Sequence, residues 1–289
     1  MGGIVLNGVT SIALAIAFSS GVAITMKVAN AKNLRLGQFL AVNYLVCSLG
    51  LLGWGAWRTL AFNSPFIWSL GIFVGIMYVL CLWLFNRAIT SGGLALSTTL
   101  MRLSAAIPTM GSLILFAEQT NFYQILGIVL AFICLPLASK EPLRFDQAGK
   151  EALKGMIWGL LLFAAYGMTD FAFKVQAELE PSADPNAFMA TIFGTALLFT
   201  FPQLFKGVKP NSDCLFWGLV LGLTNVLATY FWIITLAHIP GAVAFPTLGL
   251  GVITVTTLAS LLIWRERLRP ANFTFLVLAS VAVFLINLG

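Results

Sequence analysis

The sequence predicts an all-α integral membrane protein whose ten transmembrane helices form two inverted five-helix repeats around a central cavity. Three observations lead to this fold class: an apolar composition, ten long apolar runs, and a match of the chain with itself. Of the 289 residues, 60% are hydrophobic and 9% are charged, whereas roughly a quarter of the residues in soluble domains are charged. Because a soluble surface must be far more polar, the composition excludes a soluble enzyme, a disordered chain and a disulfide-stapled secreted domain.

The apolar residues form continuous runs and do not alternate with polar ones. A membrane-spanning strand alternates, and helices or closed barrels are the structures that satisfy their own backbone groups in lipid. The continuous runs therefore predict helices, each of about 20 residues. Ten runs meet this requirement, at residues 3–26, 37–57, 65–86, 91–116, 121–139, 153–174, 185–205, 213–236, 241–264 and 271–288.

The basic residues are unevenly distributed between the connections. Most of the 16 Lys and Arg residues fall in the connections after odd-numbered spans. The positive-inside rule then predicts that these connections are cytoplasmic and that both termini lie outside. This distribution explains the net charge of +6, so we expect the lipid bilayer as a partner and no nucleic acid. The compact loops are typical of the bacterial inner membrane.

Cysteine and histidine give no sign of a metal site. The four cysteines form no CxxC pair and lie within or beside apolar runs, and His238 is the only histidine. We therefore interpret the cysteines as small hydrophobic side chains and expect no metal. Neither GxxxxGK[ST] nor a GxGxxG motif after a strand is present, so we expect no nucleotide and no other cofactor.

The chain matches itself at shifts of 147 and 148 residues. These shifts superimpose charged residues and small-residue motifs, namely Lys27 on Lys174, Glu118 on Glu266, and Gly71xxxGly75 on Gly218xxxGly222. Since each copy holds five spans, an odd number, the second copy enters the membrane from the opposite side, as in many transporters. We expect a first repeat over residues 1–139, a cytoplasmic linker over 140–152 and a second repeat over 153–289.

Two five-span halves, each with a Lys near the end of its first span and a Glu closing its fourth, resemble the EamA type of the drug/metabolite transporter superfamily. The carrying residues are Lys27, Lys174, GGLALSTTLMRLSAAIPTMGSLILFAEQTNFYQILG and GAVAFPTLGLGVITVTTLASLLIWRERLRPANF. The resemblance covers essentially the whole chain. It implies a ten-helix carrier with a central cavity, commonly an exporter of amino acids or other metabolites. Pro108 departs from the repeat because its equivalent is Thr256, so we expect the two halves to bend differently.

Charged residues inside a span are costly and indicate function or a partner. Arg102 lies near the middle of the fourth span, where its repeat equivalent is Leu250. A guanidinium group binds carboxylate or phosphate through two parallel hydrogen bonds. Arg102 is therefore either a substrate-binding residue or one member of a structural ion pair with Asp170.

The sixth span carries a second set of charges. Asp170 and Lys174 are four residues apart and can pair on one helix face, so Asp170 is either a proton-coupling residue or part of a static pair. Lys27 and Lys174 are either substrate-binding, gating residues or span-end lysines whose amines reach the interface. Glu118 and Glu266 are interpreted as interfacial turn residues.

Aromatic and amide side chains complete the set of candidates. Tyr78, Trp83, Tyr166 and Tyr230 either line an amphipathic cavity or pack within the bundle and at the interface. Asn225, with Asn43, either contacts a ligand or forms a hydrogen bond between helices. No larger set of catalytic groups is present, because the chain has one histidine and one carboxylate deep in a span.

The intramembrane charges comprise Lys27, Arg102 and Lys174 against Asp170, which predicts an electropositive cavity that favours anions. We expect a secondary transporter, not an enzyme, that moves a small organic solute by alternating access. An amino acid or other anionic or zwitterionic metabolite is the expected substrate, and export the expected direction. The alternative is a proton-coupled exporter of cationic drugs or metabolites that uses Asp170, and an intramembrane enzyme is less favoured.

Overall fold

The computed structural model describes residues 7–53, 64–138, 150–207, 209–265 and 270–288. Within these ranges the chain forms ten α-helices, two short 3₁₀ turns and no strand. The helices are α1 (Gly8–Ala31), α2 (Leu36–Gly53), α3 (Pro65–Leu103), α4 (Ala106–Leu115), α5 (Phe122–Cys134), α6 (Lys150–Leu179), α7 (Pro185–Thr200), α8 (Ser212–His238), α9 (Gly241–Trp264) and α10 (Pro270–Ile286).

The predicted fold class is confirmed by this helix content. Helices α1 to α5 fall in the first predicted repeat and α6 to α10 in the second. Seven of the helices in the described part of the chain are long and apolar enough to cross a membrane. Residues 140–149 of the predicted linker lie outside the described ranges, and the boundaries of the repeats stay a prediction.

The predicted connection between the third and fourth spans, at residues 87–90, is wrong. Helix α3 continues through these residues and ends only at Leu103. The break follows at Ser104 and Ala105, where the N–H of Ala105 bonds the carbonyl of Arg102, three residues back. Pro108 explains the position of the break, because a proline ring clashes with the carbonyl four residues before it, here that of Ser104.

The second half places its break differently, as expected. Helix α8 ends at His238, and Pro240, with φ −50° and ψ 136°, precedes α9. At the position equivalent to Pro240 the first half has Gly92, which keeps the backbone N–H that proline lacks. Helix α9 continues through Pro246 in its second turn, so this proline ends no helix.

Short polar residues define several helix starts. Asn7 accepts a hydrogen bond from the N–H of Thr10 at the start of α1. Asn121 and Gln124 form a reciprocal capping box at the start of α5, with hydrogen bonds of 2.8 and 3.0 Å. Such caps satisfy backbone N–H groups that have no partner within the helix.

The chain divides into two compact units, each of which takes helices from both halves of the sequence. The first unit comprises residues 1–79 and 175–238, and the second comprises 80–174 and 239–289. In the first unit α1 packs against α8, and α2 packs against α7 and α8. In the second unit α5 packs against α10, and α4, α5 and α10 contact α9. Helices of one repeat therefore pack mainly against helices of the other.

Glycine pairs at equivalent positions of the repeats bring helices close together in the first unit. These are Gly71 and Gly75 on α3, facing α7, and Gly218 and Gly222 on α8, facing α2. A Cβ atom at Gly75 would lie 2.5 Å from the carbonyl oxygen of Ile192, and one at Gly222 would lie 2.7 Å from Val46. The close approach predicted from the GxxxG spacing is thus confirmed.

The second unit has its core where α5, α9 and α10 meet. Small residues of α5, such as Gly127 and Ala131, face α10, and a Cβ at Gly127 would lie 2.9 Å from the carbonyl oxygen of Ala282. Phe275 of α10 and Leu250 of α9 are buried in the same cluster. This packing fixes α9, which carries most of the pocket described below.

We expect Gly75→Ala to destabilise the first unit, because the added methyl group overlaps the backbone of α7. Overpacking of this kind costs roughly 1–3 kcal/mol. The matched control is Gly194→Ala on α7, where a Cβ meets nothing within 4 Å. Thermal unfolding in detergent measures both. Equal unfolding midpoints for the two variants would contradict the close approach.

Candidate functional site

A pocket of about 200 Å³ lies in the second unit. Its walls come from the junction of α3 with α4, from α5 and from α9. Apolar groups such as Phe132, Leu135, Phe245 and Ile253 form these walls, and Arg102 is the one charged lining residue within the described part of the chain. The pocket therefore combines apolar walls with one guanidinium group.

Arg102 has no carboxylate partner within the residues that the structure describes. No described carboxylate oxygen lies within 4.0 Å of its guanidinium group, and the ion pair with Asp170 considered from the sequence is absent there. A half-buried cation without a protein counter-ion carries a desolvation penalty. An anionic ligand would offset this penalty through charge-assisted hydrogen bonds.

The repeat equivalent of Arg102 lines the same pocket. Leu250 of α9 is buried and faces this space together with Arg102 of α3. Two arginines at these positions would place two like charges in one apolar pocket, which is unfavourable. This juxtaposition gives a physical reason for the loss of sequence symmetry at this position.

Lys174 pairs with Glu118 in the second unit. The Nζ atom of Lys174 lies 2.5 Å from Oε1 of Glu118, and the side chains are 2% and 10% exposed. Asp170 makes no ion pair within the described residues. The pairing of Asp170 with Lys174 considered from the sequence is therefore wrong, as is the interpretation of Lys174 as a residue reaching the interface.

Glu118 also caps helix α9. Its Oε1 accepts a hydrogen bond of 2.7 Å from the N–H of Gly241, and its Oε2 accepts one of 2.8 Å from the N–H of Ala242. The residue before the helix, Pro240, offers no side-chain cap, so a distant carboxylate takes that role. A negative charge at a helix N-terminus is favourable. Glu118 lies in the turn between α4 and α5, and its carboxylate has the additional role of capping α9. Its position at the membrane interface stays a prediction.

A left-handed residue sets the direction of Glu118. Ala117 has φ 49°, and Arg265, its equivalent at a shift of 148, has φ 52°. Asn33 is the third non-glycine residue with positive φ among the described residues. The shared conformation supports the repeat, although Glu266 itself lies outside the described ranges.

The aromatic candidates are spread over both units. In the first unit Tyr78 packs against Phe193, with 6.2 Å between ring centroids, and Tyr230 packs edge-on against Phe231 at 5.5 Å. Tyr166 is half-buried on α6 in the second unit. None of these rings lines the pocket of Arg102 within the described residues, and their role in a cavity stays a prediction.

Trp83 lies in an exposed aromatic cluster. Its side chain is 48% exposed, meets the edge of Trp158 at 5.5 Å, and carries the guanidinium group of Arg87 at 5.3 Å from its ring. Exposed tryptophan beside a cation is typical of the membrane interface. The role of Trp83 as a cavity-lining residue stays a prediction.

Asn225 and Lys27 belong to the first unit. The side-chain amide of Asn225 donates a hydrogen bond of 3.3 Å to Oδ1 of Asn43, which joins α8 to α2. This contact corresponds to the interhelical role that the sequence left open for Asn225. Lys27 is half-buried on α1. Of the predicted site residues, Arg102 alone lines the pocket in the part of the chain described.

Comparison with known proteins gives the family. Residues 6–139 and residues 153–288 each match the EamA-like transporter family. The chain belongs to the EamA-like transporter family. It is therefore a multi-pass membrane transporter of small solutes, as the resemblance predicted.

Two individual proteins resemble this EamA-like chain. An uncharacterized protein of Haemophilus influenzae is 27% identical over 283 residues, which cover 93% of this chain and 94% of that protein. A protein of known crystal structure superposes with a TM-score of 0.80 at 14% identity, covering 97% of this chain and 96% of that one. At this identity the second match shows the fold alone.

Lys174→Met removes one member of a buried ion pair, and we expect it to lower the free energy of unfolding by roughly 3–5 kcal/mol. The matched control is Lys32→Met, because Lys32 and Asp213 form a pair of 2.9 Å whose side chains are 40% and 49% exposed. That loss should be at most ~1 kcal/mol. Thermal and denaturant unfolding in detergent measures both.

The double variant Lys174→Met with Glu118→Gln tests the pairing directly. It leaves no unpaired buried charge, so we expect it to be more stable than Lys174→Met alone. Additive losses from the two substitutions would show that the two side chains do not interact.

Proposed function

We propose that this chain is a secondary carrier that exports a small organic solute bearing a carboxylate or other anionic group, by alternating access. An amino acid or a related zwitterionic metabolite is the favoured substrate. The observation that carries the proposal is the position of Arg102, a cation without a described protein counter-ion in an otherwise apolar pocket.

The chemistry of the pocket supports this substrate class. A guanidinium group binds a carboxylate through two parallel hydrogen bonds, and the apolar walls accept a hydrocarbon side chain. The volume of about 200 Å³ is below the roughly 300–1,000 Å³ of pockets for drug-sized ligands. A metabolite of a few carbon atoms fits this size better than a large drug.

We propose that the chain does not use ATP as its energy source. The chain has no phosphate-binding motif of the kind used by ATP-driven pumps, so the transport step draws on an ion gradient or on the gradient of the solute. The location we propose is the bacterial inner membrane, with both termini outside. The distribution of Lys and Arg supports this orientation.

A second candidate function is proton-coupled export of cationic solutes. Asp170 supports it, because this carboxylate lies half-buried in α6 and makes no ion pair within the described residues. An unpaired carboxylate in a span is suited to bind a proton or a cation. In the anion carrier, the same residue is the proposed site of proton coupling.

Arg102→Leu should weaken the counterflow of anionic or zwitterionic solutes in proteoliposomes. A panel of amino acids, organic acids and cationic dyes identifies the solute first. A charge-assisted hydrogen bond contributes about 1.5–3 kcal/mol, so we expect the half-saturation concentration to rise by at least about tenfold. The matched control is Arg87→Leu, since Arg87 lies on the same helix but is exposed and does not line the pocket.

The size and folding of each arginine variant are checked by gel filtration in detergent. Unchanged counterflow by a well-folded Arg102→Leu protein would remove Arg102 from the substrate site. Uptake of cationic dyes alone by the wild-type protein would favour the second candidate function.

Asp170→Asn should separate transport from the proton gradient. The amide cannot take up and release a proton, so we expect solute counterflow to continue while uptake no longer responds to a pH gradient imposed across the vesicle membrane. Uptake by Asp170→Asn protein that still follows the pH gradient would show that the proton binds elsewhere.

A further inference from the structure

We propose that Lys174, the N-terminus of α9 and Ser112 form a carboxylate-binding site, which Glu118 fills from within the chain. In the transport cycle, which rests on the function proposed above, the carboxylate of the solute displaces that of Glu118. This site is separate from the pocket of Arg102, because none of its residues is among the residues that line that pocket.

Three donors converge on the carboxylate in this structure. Oε1 of Glu118 lies 2.5 Å from Nζ of Lys174 and 2.7 Å from the N–H of Gly241, and Oε2 lies 2.8 Å from the N–H of Ala242. Two adjacent backbone N–H groups at a helix N-terminus, together with an ammonium group, are suited to bind any carboxylate. Glu118 meets these requirements, and so would the carboxylate of a small organic acid.

Ser112 supplies a donor that Glu118 does not use. Its side chain is fully buried, and its Oγ has no hydrogen-bond partner within the described residues. Among the neighbours of Gly241, this oxygen lies nearest to the position that a Cβ would occupy, so it faces the start of α9. A buried hydroxyl without a partner costs free energy, and a carboxylate that is not tethered to the chain can accept its hydrogen bond.

The walls of the site keep it narrow. A Cβ at Gly241 would contact Ser112 and would lie 3.1 Å from Cδ and Cε of Lys174. The ring of Phe116 lies 5.8 Å from Nζ of Lys174. Low polarity around the site strengthens each charge-assisted hydrogen bond in it.

The connection that carries Glu118 favours its exchange. Ala117 holds a left-handed conformation, with φ 49°, which is strained for a residue with a Cβ. Glu118 leaves the site when this turn relaxes, so the release of its carboxylate relieves part of that strain. A solute carboxylate occupies the same donors without this strain.

The test uses Glu118→Ala, which empties the site and leaves its donors in place. We expect formate or acetate to raise the unfolding midpoint of this variant in detergent in a saturable manner, whereas methanol and ethanol do not. The wild-type protein, with the site filled, should respond at least about tenfold more weakly, as judged by the concentration for half-maximal effect.

Variants of the donors serve as controls. In Glu118→Ala protein, adding Lys174→Met should abolish the response to formate, and adding Ser112→Ala should weaken it. Adding Arg87→Leu should leave it unchanged, because that exposed residue lies outside both sites. A response that persists without Lys174 would overturn the proposal.

Glu118→Gln is the second variant in case Glu118→Ala does not fold. Its amide keeps an acceptor for α9 but lacks the charge, so formate should raise its midpoint too, by a smaller amount. The absence of a formate response in both variants would overturn the site.

The binding assay needs no transport, so the two proposals fail separately. Wild-type counterflow without carboxylate binding in either variant refutes the site alone. Binding of formate with no counterflow of any anion supports the site and refutes the carrier function.

The displacement step is tested with the transported solute. It should bind the Glu118→Ala protein roughly tenfold more tightly than the wild-type protein, and equal affinity would overturn that step.

Discussion

The ion pair and the helix cap formed by the carboxylate of Glu118 are the interactions on which the packing of the second unit most depends. The carboxylate neutralises Lys174, a lysine buried where an unpaired ammonium group would be severely destabilising, and it satisfies the first N–H groups of α9. Helix α9 in turn packs against α4, α5 and α10 and forms one wall of the pocket that contains Arg102. One acidic side chain therefore connects the electrostatics of the unit to the shape of its pocket.

The sequence predicted the helices well wherever an apolar run is bounded by polar residues. The predicted span at 241–264 coincides with α9, and the GxxxG motifs marked the close helix contacts. The connection at 87–90 was wrong, because the residue that ends a helix in the second half, Pro240, is replaced by Gly92 in the first. The helix breaks instead at Ser104, because the ring of Pro108 clashes with the carbonyl group of that residue. A hydropathy pattern does not reveal this effect.

The site was less predictable, because its contacts join residues far apart in the chain. The helical spacing of four residues suggested Asp170 as the partner of Lys174, whereas the structure supplies Glu118 from another segment. One signal was available: Glu118 and Lys174 both recur in the repeat, and Asp170 does not. Arg102 could be identified from the sequence because a charged residue inside a membrane span is costly. Its pocket could not, because the pocket forms only where α3, α5 and α9 come together in space.

The exchange of packing partners between the halves has a consequence for biosynthesis. Helices α1 and α2 meet α7 and α8 in the first unit, yet these partners are translated well over a hundred residues later. At 5–20 residues per second, the early helices wait in the bilayer on the order of ten seconds. During that time, the surface of α2 that later packs against Gly218 and Gly222 faces lipid or an insertion factor. In an isolated first half, α1 and α2 would therefore lack the helices that they pack against in the complete chain.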